Sequence, residues 1–177
     1  MDRLLRWDET HPEELQIIAA RIARTDCLIV GRTARAYATH PQALVQTERI
    51  SNMVVSHILG KQMDVSAGCK GLSRRAAEFL AVNAIPGRAL GTDAEWPILL
   101  HHAGFRIDYI EVDGLDWESA DRYQTSAVDE DVQRRLAREY DAEPLHWTYR
   151  IEVAREIIQV ALEVRSRSME EQPCKKK

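Results

Sequence analysis

The run Cys27-Leu28-Ile29-Val30 is continuous, β-branched and short, and it ends at Gly31. Unbroken apolar character over so few residues fits a strand buried on both faces in a parallel sheet, not a half-exposed strand, which would alternate. A strand of that kind needs helices on either side. Upstream, Thr10-His11-Pro12-Glu13 reads as a helix start: Thr10 can cap, Pro12 suits the first turn and Glu13 can complete a capping box. Leu15, Ile18, Ala19 and Ile22 then share one helical face. Downstream, Pro41 opens a second helix, with Leu44, Ile50, Val54 and Ile58 forming one buried stripe and Gly60 as a stop. The expected fold class is α/β, a parallel or mixed sheet flanked by helices.

The rest of the chain continues that pattern. A Gly-punctuated loop, Asp64 to Gly71, leads to Ser73, a good N-cap for a helix carrying Ala76, Ala77 and Leu80. Thr92-Asp93 can cap another helix, provided Pro97 sits in its first turn, and Gly104 ends it. Arg106 to Val112 mixes polar and apolar positions as a strand does. Residues 116–143 are rich in acids and arginines and suit surface helices or loops. Trp147 to Arg165 predicts an amphipathic helix with Ile151, Ala154, Ile157, Ile158, Ala161 and Leu162 on its buried side. The expected organisation is one domain over residues 1–118, a helical extension packed on it over 119–168, and a disordered polar tail over 169–177.

At 177 residues the chain is long enough for one hydrophobic core without disulfides or a structural metal. A net charge of −4 argues against a non-specific nucleic-acid binder, which would show a basic excess. Cys27, Cys69 and Cys174 are odd in number and lack a CxxC pair, which points to a reducing, cytoplasmic-type compartment. Cys27 reads as a small buried hydrophobe. The charged start Met1-Asp2-Arg3 lacks the apolar segment of a signal peptide, and no apolar stretch approaches the ~20 residues of a membrane span.

Several residues invite a chemical reading beside a plain one. Asp64, Gly68 and Lys70 put a carboxylate, a backbone open to close approach and a positive charge in one loop; a tight turn in which Asp64 caps local N–H groups uses the same residues. Asp93 and Glu95 stand where the helix dipole favours negative charge, as an N-cap and a first-turn acid or as site carboxylates. Arg32 follows the first strand and by itself reads as a solvated strand-end arginine. Arg74 and Arg75 read as an exposed first turn. His101-His102 does not suit a metal, since adjacent helix residues point about a quarter-turn apart. Trp117, Glu118 and Asp121 can line a cleft, whereas Trp96 and Trp147 read as packing residues.

Two stretches carry a family resemblance: Asp64-Val65-Ser66-Ala67-Gly68-Cys69-Lys70-Gly71-Leu72-Ser73-Arg74-Arg75-Ala76, and Gly91-Thr92-Asp93-Ala94-Glu95-Trp96-Pro97-Ile98-Leu99-Leu100 continued by Ala103-Gly104-Phe105-Arg106. With Val30-Gly31-Arg32 before them, their order and spacing resemble the second half of GT-A-fold, family-two glycosyltransferases of the dolichyl-phosphate-mannose-synthase type, over Glu13 to Glu118. The resemblance implies a partial GT-A-like domain and the acceptor side of a transferase that uses a nucleotide-sugar and a hydroxyl acceptor. It implies Asp93, with Glu95 as the other candidate, as the acceptor-side carboxylate, and Asp64, Gly68, Lys70, Arg32 and Trp117 as substrate-binding residues. Aligning His11-Pro12-Glu13 with the segment after the family's Asp-x-Asp metal motif puts the two acidic positions at Arg6 and Asp8. Asp8 is then the single expected ligand of a divalent Mg or Mn ion, which needs several oxygens to bind well. The nucleotide-binding half would precede this sequence, so the expectation is a chain that does not catalyse alone. The alternative is a non-catalytic, homo-oligomeric binding module that covers its exposed sheet edge by association. The glycosyltransferase expectation requires the Asp64 loop and the Asp93 helix start to converge at the carboxyl edge of a parallel sheet.

Overall fold

The computed structural model describes residues 2–86, 89–117 and 130–170. The apolar run forms β1 (Cys27–Arg32), buried along its whole length and central in a three-stranded sheet. On one side β3 (Ile107–Val112) pairs parallel to it, with Ile29 opposite Tyr109. On the other, β2 (Cys69–Leu72) pairs antiparallel, with Ile29 opposite Lys70. The sheet is therefore mixed, and β2 occupies residues that read from sequence as loop. Glycine at 68 and 71 masks the strand signal there; pairing with β1 supplies what local propensity lacks.

Alternate residues of β1 point to opposite faces and seed two cores. Cys27 and Ile29 join the larger one with α4 (Gln42–Leu59), α5 (Arg74–Asn83), α6 (Thr92–His102) and α8 (Pro144–Glu170). Leu28 and Val30 join Trp7 of α1 (Asp2–Thr10), Ile18 of α2 (Pro12–Ile22) and Leu115. Helices thus cover both faces, as a continuous apolar strand requires. The short α3 (Ala34–Ala38) and α7 (Glu130–Asp141) complete the described elements. Cys27 is wholly buried, and burial pushes its thiol pKa up to about 11. No helix among the described residues is long and apolar enough to cross a membrane.

Several helix ends follow their local chemistry. Ser73 accepts the Ala76 N–H, and Gly60 and Gly104 take left-handed conformations at φ 69° and 76°. Others differ. Thr10 ends α1 instead of capping α2, and its hydroxyl donates back to the Arg6 carbonyl; His11 is the N-cap, and its side chain caps no N–H of α2. Thr92 starts α6 and donates to the Ala89 carbonyl, which places Pro97 in the second turn.

Two amphipathic helices are rotated from their expected faces. In α4, Ile50 is exposed, while Thr47, Glu48, Ser51, Asn52 and Ser56 are buried beside Val55 and Leu59. In α8, Ile151 and Leu162 are exposed, and Val153, Ile157, Val160, Ala161 and Val164 enter the larger core. α8 is thus part of the same core as β1. It continues to Glu170, and residues 171–177 of the expected tail lie outside the described residues.

Candidate functional site

Arg32, at the carboxyl end of β1, is buried instead of solvated. Its Nε donates to Asp64 Oδ2 at 2.8 Å and its Nη2 to Asp64 Oδ1 at 2.9 Å, a two-pronged pairing. The backbone N–H of Arg32 adds a third bond to Asp64 Oδ2 at 3.1 Å, and Asn52 Nδ2 donates to Oδ1 at 2.7 Å. Nη2 of Arg32 also reaches Glu48 Oε2 at 2.6 Å, and Arg150 of α8 holds the other oxygen of Glu48. Beneath the guanidinium lies the Tyr37 ring, 4.2 Å from centroid to Cζ. The polar face of α4 is buried because these partners wait for it: Glu48 and Asn52, one turn apart, both enter this network.

Burial acts against the charge on Arg32, but the hydrogen bonds of Asp64 and the charges of Glu48 and Asp64 outweigh it and raise its pKa. Burial likewise opposes ionised Asp64; bonding to Arg32 and Asn52 prevails and holds its carboxyl below the ordinary value. For Glu48 burial wins over both arginines, and its pKa is raised. The Tyr37 and Tyr109 phenols are also pushed up, chiefly by burial.

A cleft of about 470 Å³ opens beside this network. Arg32, Asn52 and Asp64 line it, with the rings of Tyr37 and Tyr109 and the side chains of Gln42, Arg49, Gln62 and Glu111. Tyr109 Oη accepts the Asp64 N–H at 3.1 Å and donates to Glu111 Oε1 at 3.0 Å, which ties the wall to the 64–67 turn. Gly31 permits this closeness: a Cβ there would sit 2.4 Å from Tyr109 Oη and 2.9 Å from Asp64 Cβ. Among the described residues the Tyr37 hydroxyl is buried without a hydrogen-bond partner.

Lys70 occupies the next position across the same sheet face, since Lys70, Ile29 and Tyr109 are aligned in register. Its Nζ lies 2.5 Å from Asp93 Oδ1 and 3.4 Å from the Val65 carbonyl. The segment 64–70 therefore reaches Arg32 with its first residue and Asp93 with its last. Asp93 itself does not line the cleft.

The remaining expected site residues lie elsewhere. Glu95 is fully buried; its Oε1 accepts the Ile85 N–H at 3.1 Å and lies 3.5 Å from Arg167 Nη2, so it braces α6 against α8. Gly68 caps the 3-10 turn Val65–Ala67 in a left-handed conformation at φ 73° and is not a cleft residue. Trp117 donates its backbone N–H to Thr39 and meets Tyr140 edge-on at 6.0 Å, away from the cleft. Asp8 is exposed on α1 and also off the cleft. Glu118 and Asp121 fall outside the described residues.

The chain matches no protein-family model, no curated protein and no solved structure. Both oxygens of Asp64 are engaged by Arg32 and Asn52, and among the described residues no group of three His, Cys, Asp or Glu side chains gathers as metal ligands. Arginine and carboxylate cancel deep in the floor, while aromatic faces and amides form the walls. Such a lining suits a polar ligand with hydroxyls to bond and a ring face to cover. Sequence reasoning finds Arg32 and Asp64 but misses Glu48, Asn52, Tyr37, Tyr109 and Arg150. The one available signal is the contiguous polar face Thr47, Glu48, Ser51, Asn52 and Ser56 within an otherwise apolar helix.

Proposed function

We propose that this chain supplies the acceptor side of a nucleotide-sugar-dependent glycosyltransferase, with the cleft over Arg32 and Asp64 as its substrate hollow. The observation that carries the reading is the cleft at the carboxyl end of β1, beside Arg32 and Asp64; the start of α6 lies outside it and is linked to it only through Lys70. The Asp64 turn covers the carboxyl end of the parallel pair β1 and β3, and Lys70 joins the same segment to Asp93 at the start of α6. In this reading Arg32 and Asn52 fix the Asp64 turn, Tyr37 and Tyr109 cover a sugar ring, and Gln42, Gln62 and Arg49 bond hydroxyl or phosphate oxygens at the lip. Lys70 and Asp93 stand behind the hollow.

One feature of the site favours the second reading, a non-catalytic binding module. Asp64 and Asp93 are each engaged by a cation, and Glu111 is the remaining carboxylate on the cleft wall. Neither aspartate is disposed to take a proton from an acceptor hydroxyl, so the chain by itself binds without transferring. Calorimetric titration with uridine- and guanosine-diphosphate hexoses in the presence of Mn²⁺ tests both readings. Saturable binding that weakens about tenfold or more in Gln42→Ala/Arg49→Ala is expected, since each lost charged or polar contact costs roughly 1–3 kcal/mol. Silence across the common donors overturns the transferase reading, and binding of free hexoses without donor preference selects the module.

A further inference from the structure

α8 carries a second apolar stripe on the side away from the core. Ile151 is 57% and Leu162 47% exposed, with Ile158 half-buried between them. Ile158 and Leu162 of this stripe form with Ile85 a groove of about 630 Å³, whose long walls include Arg155, Gln159 and Glu163. Those three residues recur every fourth position and are exposed, so they form one ridge beside the stripe.

We propose that this face of α8 docks against the same face of a second copy of the chain, the two helices antiparallel about a two-fold axis near Gln159. The charge order selects that arrangement. About such an axis, Arg155 of each copy lies opposite Glu163 of the other. A parallel pairing in register would instead set Arg155 against Arg155 and Glu163 against Glu163. The isologous arrangement pairs Arg155 with Glu163 twice and closes the assembly at two chains. Ile158 and Leu162 meet their counterparts within a turn of the axis and leave water, which supplies the apolar centre such an interface needs. Gln159, whose Nε2 donates to Glu163 Oε1 at 3.0 Å, sits on the axis and orients that carboxylate toward the neighbouring chain. The groove shares no lining residue with the cleft, and the pairing does not depend on the cleft's ligand.

Charge-swap variants read by sedimentation velocity over a wide concentration range test the interface. The wild-type chain sediments as a dimer that dissociates on dilution. Arg155→Glu and Glu163→Arg each weaken dimerisation about tenfold or more, because each places like charges opposite one another twice. The double variant Arg155→Glu/Glu163→Arg restores the wild-type association, a recovery that general damage to α8 would not give. Circular dichroism confirms that each variant keeps its helix. A wild-type monomer at all concentrations, or single swaps that leave the dimer intact, overturns the proposal. A chain that dimerises only after deletion of residues 171–177 also overturns it, by showing that those residues fill the groove within one chain.

Discussion

Arg32 and Asp64 set the residue-scale energetics because neither can be removed alone. Replacing Arg32 with Met leaves buried Asp64 without a cation and Glu48 with Arg150 alone, and is expected to cost about 3–5 kcal/mol in chemical denaturation. The two acids behave differently with pH. The folded state holds the Asp64 pKa below its unfolded value of ~3.9. Its contribution is therefore complete above that pH and is lost as pH falls through the folded value. Glu48 has the opposite sign: its folded pKa is raised, so its ionisation works against stability as pH rises past ~4.3. Urea titrations between about pH 5 and 3 should show wild-type stability falling more steeply than that of Asp64→Asn. At neutral pH Glu48→Gln should cost less than Asp64→Asn. Equal acid slopes in wild type and Asp64→Asn would remove Asp64 from the network. For the second ion pair, Lys70→Met alone is expected to cost about 3–5 kcal/mol, and adding Asp93→Leu should recover most of the loss. Measured stabilities that simply add for this pair would show that Lys70 and Asp93 do not depend on each other.

At the scale of elements, β1 earns its place at the centre by being apolar on both faces, and Gly31 lets the cleft form at its end. Gly31→Ala inserts a methyl group between Tyr109 and Asp64, within 3 Å of both. Thermal melting should register a loss of about 1–3 kcal/mol, and titration of the cleft should show ligand binding weakened alongside it. Unchanged stability would mean that Tyr109 is free to swing away from the wall. The elements legible in the sequence are those written locally: the Cys27–Val30 run, the Ser73 cap, and the glycine stops at 60 and 104. The orientation of α4 and α8 is not written locally. Periodicity offers α4 an apolar stripe and a polar one, and the polar one is buried because Glu48 and Asn52 find Arg32 and Asp64 within the first part of the chain and Arg150 a hundred residues later. In α8 the choice between Ile151 and Val153 is likewise made by α4 and α6, against which the helix packs. β2 escapes reading because its glycines hide a strand that only β1 stabilises. Of the site, Arg32 and Asp64 are visible as motif residues; that they bond each other is not.

Across the whole molecule, one segment joins the two ends of the proposed site. Asp64 bonds Arg32 at the cleft, Lys70 bonds Asp93 behind it, and in the turn between them Val65 enters one core and Ala67 the other. Glu95 takes the other role available to an acid in α6, fixing that helix to α8 from inside the core. If the cleft is the substrate hollow, occupying it must be felt along that whole segment and not at the α8 groove. Nuclear magnetic resonance of ¹⁵N-labelled chain, titrated with uridine- and guanosine-diphosphate hexoses and the diamagnetic ion Mg²⁺, follows each backbone amide separately. Shifts at Arg32, Asp64 and Tyr109, extending to Lys70 and Asp93, are the expected result. Spectra unchanged by every donor, or shifts confined to Ile85, Ile158 and Leu162, would contradict it.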